Sequence, residues 1–179
     1  MTRDNTRMLE NYVMPKVLVL FDSGDQRAEE LAQLVAEGAK NIRFTEVDVR
    51  FVGSETASNG SRRRQLESSE SVLQYDGVVV VGSDRAPSAA IDALLAAHPR
   101  GEFVDRVFAA ASNADSSQRL SALGGIVVGM PQGSTDLEVT ARKTGERVAK
   151  VAEWVRHALS HEHGHAHSHD AQSHHHHSH

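Results

Sequence analysis

Two short apolar runs constrain the fold of this chain more than any other feature. Lys16–Asp22 contains five consecutive apolar residues, and Gly77–Gly82 contains four consecutive valines between two glycines. A strand with one solvated face alternates apolar and polar side chains, whereas a strand covered on both faces is apolar throughout. The two runs therefore predict the central strands of a parallel sheet that is covered by helices on both faces.

The rest of the chain alternates between helical and strand patterns around these two strands. The predicted elements are, in chain order, a helix over Gln26–Lys40, a strand over Ile42–Val52, a short helix over Arg63–Gln74, a helix over Ser88–Ala97, a strand over Phe103–Ala111, at most a short helix within Ser116–Leu123, and a strand over Gly125–Met130. Repeated β-α units with buried parallel strands predict an α/β domain with a doubly wound five-stranded parallel sheet.

The last predicted helix has the clearest pattern. Thr135 and Glu138 have the spacing of a capping box, in which two side chains satisfy backbone N–H groups of the first turn. Apolar or small residues then recur at spacings of three and four, on one face: Leu137, Ala141, Thr144, Val148, Val151, Val155 and Leu159. We therefore predict a disordered N-terminal extension (residues 1–14), an α/β domain (15–160) and a disordered histidine-rich tail (161–179).

The charge and composition of the chain exclude several classes of protein. The net charge is −5, and the one basic cluster, Arg62–Arg64, is soon followed by acidic residues, so nucleic acid is not an expected partner. The lack of cysteine excludes disulfides, thiolate metal sites and cysteine nucleophiles. No apolar run has the length of a membrane span, and residues 1–14 lack the apolar core of a secretory signal. We therefore expect no membrane partner and a cytoplasmic location.

Three loops are the candidate ligand-binding elements. In doubly wound sheets, ligands bind at the carboxyl ends of the strands, near the point where the strand order reverses. The loops that follow the first, third and fourth predicted strands are Ser23–Arg27, Ser83–Ser88 and Ser112–Gln118. Serines are also common in turns and helix caps, so the loops have a structural interpretation beside the ligand-binding one.

Several segments resemble the WrbA-type NAD(P)H:quinone oxidoreductases. The similarity extends from about Lys16 to Ala158 and is greater in the strands and helices than in the loops. The similar segments are Val17–Ser23, Ala28–Ala32 and Val35–Ala39 in the first strand and helix, Tyr75–Ser83 in the third strand, Gly125–Gly129 in the fifth, and Ala141–Ala149 in the final helix.

This resemblance implies a flavodoxin-like fold with strand order 2-1-3-4-5, and an FMN cofactor that carries hydride from NAD(P)H to a quinone. It also implies a homodimer or tetramer. The family holds the FMN phosphate at the N-terminus of the first helix, where backbone N–H groups suit an anion. The implied flavin contacts are Ser23, Gly24, Gln26, Arg27 and Ala28 in the first loop, Ser83, Asp84 and Arg85 in the second, and Ser112, Asn113 and Ala114 in the third. No catalytic acid or base is expected, because the flavin carries the chemistry.

The same loops depart from the family pattern. Asp25 places a carboxylate in the middle of the phosphate loop, with Arg27 as a compensating charge. The second loop, Gly82–Pro87, lacks the aromatic residue of the family, and the third, Ser112–Gln118, lacks its glycines and its ring. The alternative prediction is therefore a non-catalytic flavodoxin-like module that has lost FMN.

The histidine-rich tail carries ten of the twelve histidines of the chain. Neutral imidazole is a common ligand for zinc, nickel and copper, and dense histidine tracts supply several ligands without a folded site. The tail therefore predicts binding of divalent metal such as nickel or zinc, either in a storage or sensing role or adventitiously. The predicted ligands are His161, His163, His165, His167, His169, His174, His175, His176, His177 and His179.

Overall fold

The computed structural model describes residues 14–53, 64–82, 88–99, 102–111, 114–130 and 136–164. The strands are β1 (Lys16–Asp22), β2 (Glu46–Val52), β3 (Gly77–Val81), β4 (Val107–Ala110) and β5 (Ile126–Val127). The helices are α1 (Gln26–Lys40), α2 (Ala89–Ala97), α3 (Ala114–Leu120) and α4 (Leu137–Gly164), with 3-10 helices at Ser69–Gln74 and Ser121–Leu123. The strands form one parallel sheet in the order β2-β1-β3-β4-β5, which confirms the predicted topology.

The central strands are apolar throughout because each face of the sheet has its own helical layer. In β1, Val17, Val19 and Phe21 point to the layer of α1 and α4. Leu18 and Leu20 point to the opposite layer, which contains α2, α3 and both 3-10 helices. All five side chains are buried. The two apolar runs of the sequence are therefore explained by burial on both faces.

The bounds of β1 and α1 match the prediction, whereas other elements are shorter. Strand β2 begins at Glu46 rather than Ile42 because Ile42–Thr45 forms a turn, in which the Thr45 N–H donates to the Ile42 carbonyl at 3.3 Å. Strand β4 begins at Val107 because the Arg106 N–H donates to the Phe103 carbonyl at 3.1 Å in another turn. The Phe103 side chain is buried, so this turn has the apolar pattern of a strand.

Helix α4 differs from its prediction at both ends. Oδ1 of Asp136 accepts from the Glu138 N–H at 2.9 Å and from the Val139 N–H at 3.4 Å. The N–H group that the predicted capping box assigns to Thr135 is therefore bound by Asp136, and Thr135 itself lies outside the described residues. Leu137, placed on the apolar face by its spacing, is 54% exposed. The helix continues through Gly164, four residues beyond the predicted end of the domain. It therefore includes two histidines assigned to the tail.

Helices α1 and α4 touch through their backbones. A Cβ at Gly145 would come within 1.9 Å of the Val35 carbonyl oxygen, and a Cβ at Gly38 would come within 1.9 Å of the Arg142 carbonyl oxygen. Two glycines, one on each helix, therefore permit the close approach. Thr144 lies in the same contact, and its hydroxyl donates to the Thr140 carbonyl at 2.8 Å, so its burial leaves no unsatisfied donor.

His98, at the C-terminus of α2, links this helix to the 3-10 helix Ser69–Gln74. Its ring is 2% exposed and packs edge-on against Phe103. Nδ1 lies 2.9 Å from the Glu102 carboxylate, and Nε2 lies 3.0 Å from the Ser69 carbonyl oxygen. Both partners are acceptors, so both ring nitrogens donate only in the protonated ring. Burial alone lowers the pKa of His98, but the Glu102 carboxylate and the Ser69 carbonyl raise it above its usual value of 6.5.

Gly145→Ala should lower the free energy of unfolding by about 1–3 kcal/mol, because the added methyl group forces α1 and α4 apart. The loss should exceed the gain in helix propensity, which is about 1 kcal/mol. Gly129→Ala is the matched control, since its Cβ would have no atom of the described residues within 4 Å. Urea denaturation monitored by circular dichroism measures both variants. Equal stability of the two variants would contradict the close backbone contact.

The stabilisation contributed by His98 should depend on pH. A folded pKa above the unfolded one means that the contribution is complete below about pH 6.5 and is lost as pH rises through the folded pKa. The difference in unfolding free energy between the wild type and His98→Gln should therefore shrink from about pH 6 to pH 9. Glu102→Gln should shift this loss to lower pH. A difference that stays constant over this range would show that His98 does not change charge.

Candidate ligand-binding site

The carboxyl edge of the sheet, between β1 and β3, is the candidate ligand-binding site. Strand order reverses here, since β2 lies on one side of β1 and β3, β4 and β5 lie on the other. Ligands of doubly wound sheets bind at this position. Helices α1 and α2 begin here on opposite faces of the sheet, so two helix N-termini with their positive dipole ends meet at this edge.

The N-terminus of α1 is capped by a carboxylate. Oδ1 of Asp25 accepts from the Ala28 N–H at 3.0 Å, and the Asp25 carbonyl accepts from the Glu29 N–H at 3.1 Å. Gly24 precedes the cap with a φ of +85°, which lets the chain turn from β1 into the helix. The chain therefore places a negative group of its own at the position where a phosphate would meet these N–H groups.

The N-terminus of α2 has Ser88 as its N-cap and also binds a second carboxylate, which comes from the end of β1. Oδ1 of Asp22 accepts from the Ala90 N–H at 2.9 Å and from the Ser88 hydroxyl at 3.4 Å. The Ser88 hydroxyl in turn accepts from the Ile91 N–H at 3.4 Å. Burial raises the pKa of Asp22, the charge of Asp25 raises it further, and the hydrogen bonds partly offset both effects. The site thus has two interacting carboxylates.

The cationic side chain of the first loop is held by other acidic residues. Nη1 of Arg27 lies 3.2 Å from the Glu30 carboxylate and 3.8 Å from that of Glu138 at the start of α4. Gln26 also donates to Glu30, at 3.2 Å. Both side chains therefore bind along the flank of α1, and Arg27 does not offset the charge of Asp25 in this arrangement.

The remaining predicted contacts of the first loop are largely enclosed. The Ser23 N–H donates to the Val52 carbonyl at 2.8 Å, and a Cβ at Gly53 would come within 2.4 Å of the Ser23 hydroxyl oxygen. Ala28, in the first turn of α1, is buried against the sheet. Ala114 begins α3, and its side chain is outside the described part of the structure. The other predicted flavin contacts also lie outside the described residues: Ser83, Asp84, Arg85, Ser112 and Asn113.

The described residues of this edge do not fit the phosphate of FMN. A phosphate at the N-terminus of α1 would compete with Asp25 for the Ala28 N–H and would lie near the Asp22 carboxylate. Two unit charges about 4 Å apart repel by roughly 1 kcal/mol in water and 4 kcal/mol near a protein surface. Since Arg27 is paired elsewhere, no described cation of this loop compensates for the repulsion.

The metal ligands predicted in the tail fall mostly outside the described residues. His161 and His163 lie in α4, although their side chains are not described, and the predicted ligands from His165 onward are outside the described part of the chain. Among the side chains that the structure describes, no three histidines or carboxylates are grouped to hold a metal ion.

Within the described part of the chain, none of the helices combines the length and the apolar character that a membrane span requires.

Sequence reasoning missed the role of Asp22. The hydrogen bond between the Ala90 N–H and Asp22 joins residues 68 positions apart, so no local sequence pattern predicts it. The available signal was an aspartate at the end of a strand buried on both faces, where an ionisable group requires a partner.

Comparison with known proteins identifies the fold. No family model and no curated protein matches the chain at a significant level. Among solved structures, a short-chain flavodoxin associated with a non-canonical PDU bacterial microcompartment is 15% identical, with a TM-score of 0.54, over 78% of this chain and 99% of its own. The diflavin flavoprotein A3 of Nostoc sp. is 17% identical, with a TM-score of 0.54, over 83% and 99%. A flavone reductase is 16% identical, with a TM-score of 0.51, over 80% and 65%. The chain therefore has the flavodoxin-like fold.

Proposed function

We propose that this chain is a flavodoxin-like protein that has lost its phosphate site for FMN, and that its histidine-rich tail binds divalent metal such as nickel or zinc. The observation that carries the first part is the 3.0 Å hydrogen bond from the Ala28 N–H to the Asp25 carboxylate. Through this bond, a carboxylate of the chain itself occupies an N–H group that a flavodoxin-like protein would offer to phosphate.

The loss of phosphate binding follows from competition for that N–H group. FMN would have to displace a capping carboxylate, which stabilises a helix by about 1 kcal/mol. The displaced carboxylate would stay next to the phosphate, because Asp25 is anchored between β1 and α1. Asp22 is already bound to the N-terminus of α2 and adds a second negative group. The helix N-termini that favour an anion thus have anions of their own.

Metal binding by the tail is supported by its composition and by the end of α4. Ten histidines occur within residues 161–179, with no lysine or arginine among them to repel a cation. A metal ion can gather several imidazoles from such a segment without a preformed site. Helix α4 carries the start of the tail on its last turn, so the folded domain supports the first of these histidines.

FMN-dependent reduction of quinones by NAD(P)H is the second candidate function, with self-association as the family resemblance implies. It is favoured by the fold, which is shared with proteins named as a flavodoxin, a diflavin flavoprotein and a flavone reductase. Ser23 also follows β1 directly, where the first loop would meet a flavin. FMN would supply the hydride chemistry, and the loops of this chain would only orient it.

A flavin titration separates the two functions. Riboflavin and FMN differ in the phosphate, so an FMN affinity no greater than that of riboflavin is expected for the wild type. Asp25→Asn keeps the cap and removes the charge, since asparagine and aspartate cap helices about equally. It should raise the affinity for FMN about tenfold relative to riboflavin. Flavin fluorescence quenching and calorimetry measure both. Micromolar FMN binding by the wild type, with weaker riboflavin binding, would support the redox function instead.

Deleting residues 161–179 should remove most metal uptake and leave the fold of the domain intact. Equilibrium dialysis of the full chain and of this variant against Ni²⁺ or Zn²⁺ measures the uptake, and circular dichroism checks the fold. Binding by the full chain should weaken below about pH 6, because ligand histidines must be deprotonated. Stoichiometric metal retained by the shortened chain would locate the site in the folded domain.

A further inference from the structure

We infer that the open edge of β5, together with the adjoining flank of α4, is an interface for a second copy of this chain, in which the two β5 strands pair antiparallel across a two-fold axis. The family resemblance implies self-association but identifies no surface, whereas the described residues identify one. The inference is independent of flavin and metal binding, because it uses neither the helix N-termini at the carboxyl edge nor the histidines of the tail.

The backbone of β5 has one open side, since β5 is the last strand of the described sheet. The Ile126 N–H donates to the Arg106 carbonyl at 2.8 Å, and the Val128 N–H donates to the Phe108 carbonyl at 2.7 Å. The N–H and C=O groups of Val127, which lies between these two donors, therefore point to the open side. A second β5 in antiparallel orientation, with Val127 opposite Val127 of the partner subunit, would exchange two N–H···O=C bonds there.

Two exposed apolar side chains accompany this edge. Val127 packs into the layer that contains α2, so Ile126, the preceding residue of the strand, points to the layer of α4, where it is 43% exposed. Trp154 of α4 is 59% exposed and is the only tryptophan of the chain. Exposed apolar side chains that adjoin one another indicate an interaction surface, whereas single ones do not.

The course of α4 places Trp154 beside Ile126. Arg147 donates to the Gly129 carbonyl at 3.4 Å, just after β5, whereas Arg156 binds at the amino end of β3, so α4 runs antiparallel to the strands. Trp154 lies seven positions beyond Arg147, which is two helical turns on the same face and a rise of about 10 Å. Ile126 lies three positions before Gly129, which is also about 10 Å along a strand. The two exposed side chains therefore form one apolar patch next to the open backbone edge.

The charges beside this edge are complementary across a two-fold axis. The exposed Arg147 lies at the carboxyl end of β5 through its contact with Gly129. The exposed Asp105 lies at the amino end of β5, because it precedes Arg106, whose carbonyl binds the first residue of that strand. Antiparallel pairing brings the carboxyl end of each β5 to the amino end of the other. It therefore brings Arg147 toward Asp105 of the partner subunit, once on each side of the axis.

A second copy suits this edge better than an extended peptide does. Only two residues of β5 pair with β4, so a peptide added beyond β5 would gain few main-chain hydrogen bonds. In a two-fold pair, each contact occurs twice, so two tryptophans, two isoleucines and two ion pairs support the short ladder. Tryptophan is also among the residues that contribute most to the free energy of association when an interface buries them.

The first test is sedimentation equilibrium of the full chain at about 1–100 μM, with EDTA present so that metal cannot bridge two tails. We expect a reversible equilibrium between monomer and dimer. The emission maximum of Trp154 should move to shorter wavelength as the dimer forms, because the indole ring leaves water. A monomer at every concentration, or a dimer without any change in Trp154 emission, would overturn the inference.

Ile126→Lys should raise the Kd of the dimer at least about tenfold, because a lysine on an edge strand opposes pairing and the apolar contact is lost. Leu137→Lys is the matched control. Leu137 is also an exposed apolar residue, but it lies at the start of α4, about 25 Å along the helix from Trp154. The control should keep the Kd of the wild type. Equal values of Kd for the two variants would place the interface elsewhere.

Charge reversal tests the orientation of the two copies. Arg147→Glu and Asp105→Arg should each raise the Kd about fivefold, because each places like charges together on both sides of the axis. An equimolar mixture of the two variants should dimerise like the wild type, since opposite charges meet again in the mixed pair. Circular dichroism checks that both variants fold. Failure of the mixture to restore association would contradict the antiparallel pairing of β5.

Discussion

The backbone contact between α1 and α4 is the constraint on which the rest of the structure depends. It exists because Gly38 and Gly145 leave no side chain between the helices, and it forms one of the two layers that cover β1 and β3. The two helices of this layer also lead to the two candidate sites, the carboxyl edge of the sheet and the histidine-rich segment. Helix α1 begins at the carboxyl edge of the sheet, beside Asp22, whereas α4 passes the amino end of β3 at Arg156 and continues outward. The carboxylate pair and the part of α4 around Arg156 are thus at opposite edges of the sheet.

A helix N-terminus attracts an anion whether the anion is a ligand or part of the chain. In flavodoxin-like proteins with bound FMN, this attraction can be used for phosphate. In this chain, Asp25 caps α1 and Asp22 accepts from the Ala90 N–H in the first turn of α2, so the same attraction stabilises the fold. The flavodoxin-like fold is therefore stable with carboxylates of the chain itself at both helix N-termini. The electrostatic requirement of the helices is still met, although no ligand is needed to meet it.

The sequence predicted the elements where two local signals agree. For α1, the amphipathic run predicted the bounds of the helix correctly, and the structure adds that Asp25, directly before the run, is its cap. Apolar spacing and a cap residue thus agree on where this helix begins. For α4, spacing alone selected Thr135 as the cap, whereas the Glu138 N–H is bound by the adjacent Asp136. Contacts across the sheet, such as Asp22 with the N-terminus of α2, were not predictable, because they depend on which strand lies next to which helix. The strand order was predictable only through the family resemblance.

The boundary between the domain and the histidine-rich tail was also predicted from a single signal. The composition identified the histidine-rich segment, and the prediction placed its start at residue 161, outside the domain. The structure continues α4 through that boundary to Gly164, so the predicted boundary falls inside the helix. The ion pair between Arg156 and Asp76 anchors α4 to the sheet just before that boundary. The histidine-rich segment therefore begins on a helix that the folded domain holds at the amino end of β3, at the edge of the sheet opposite to the carboxylate pair.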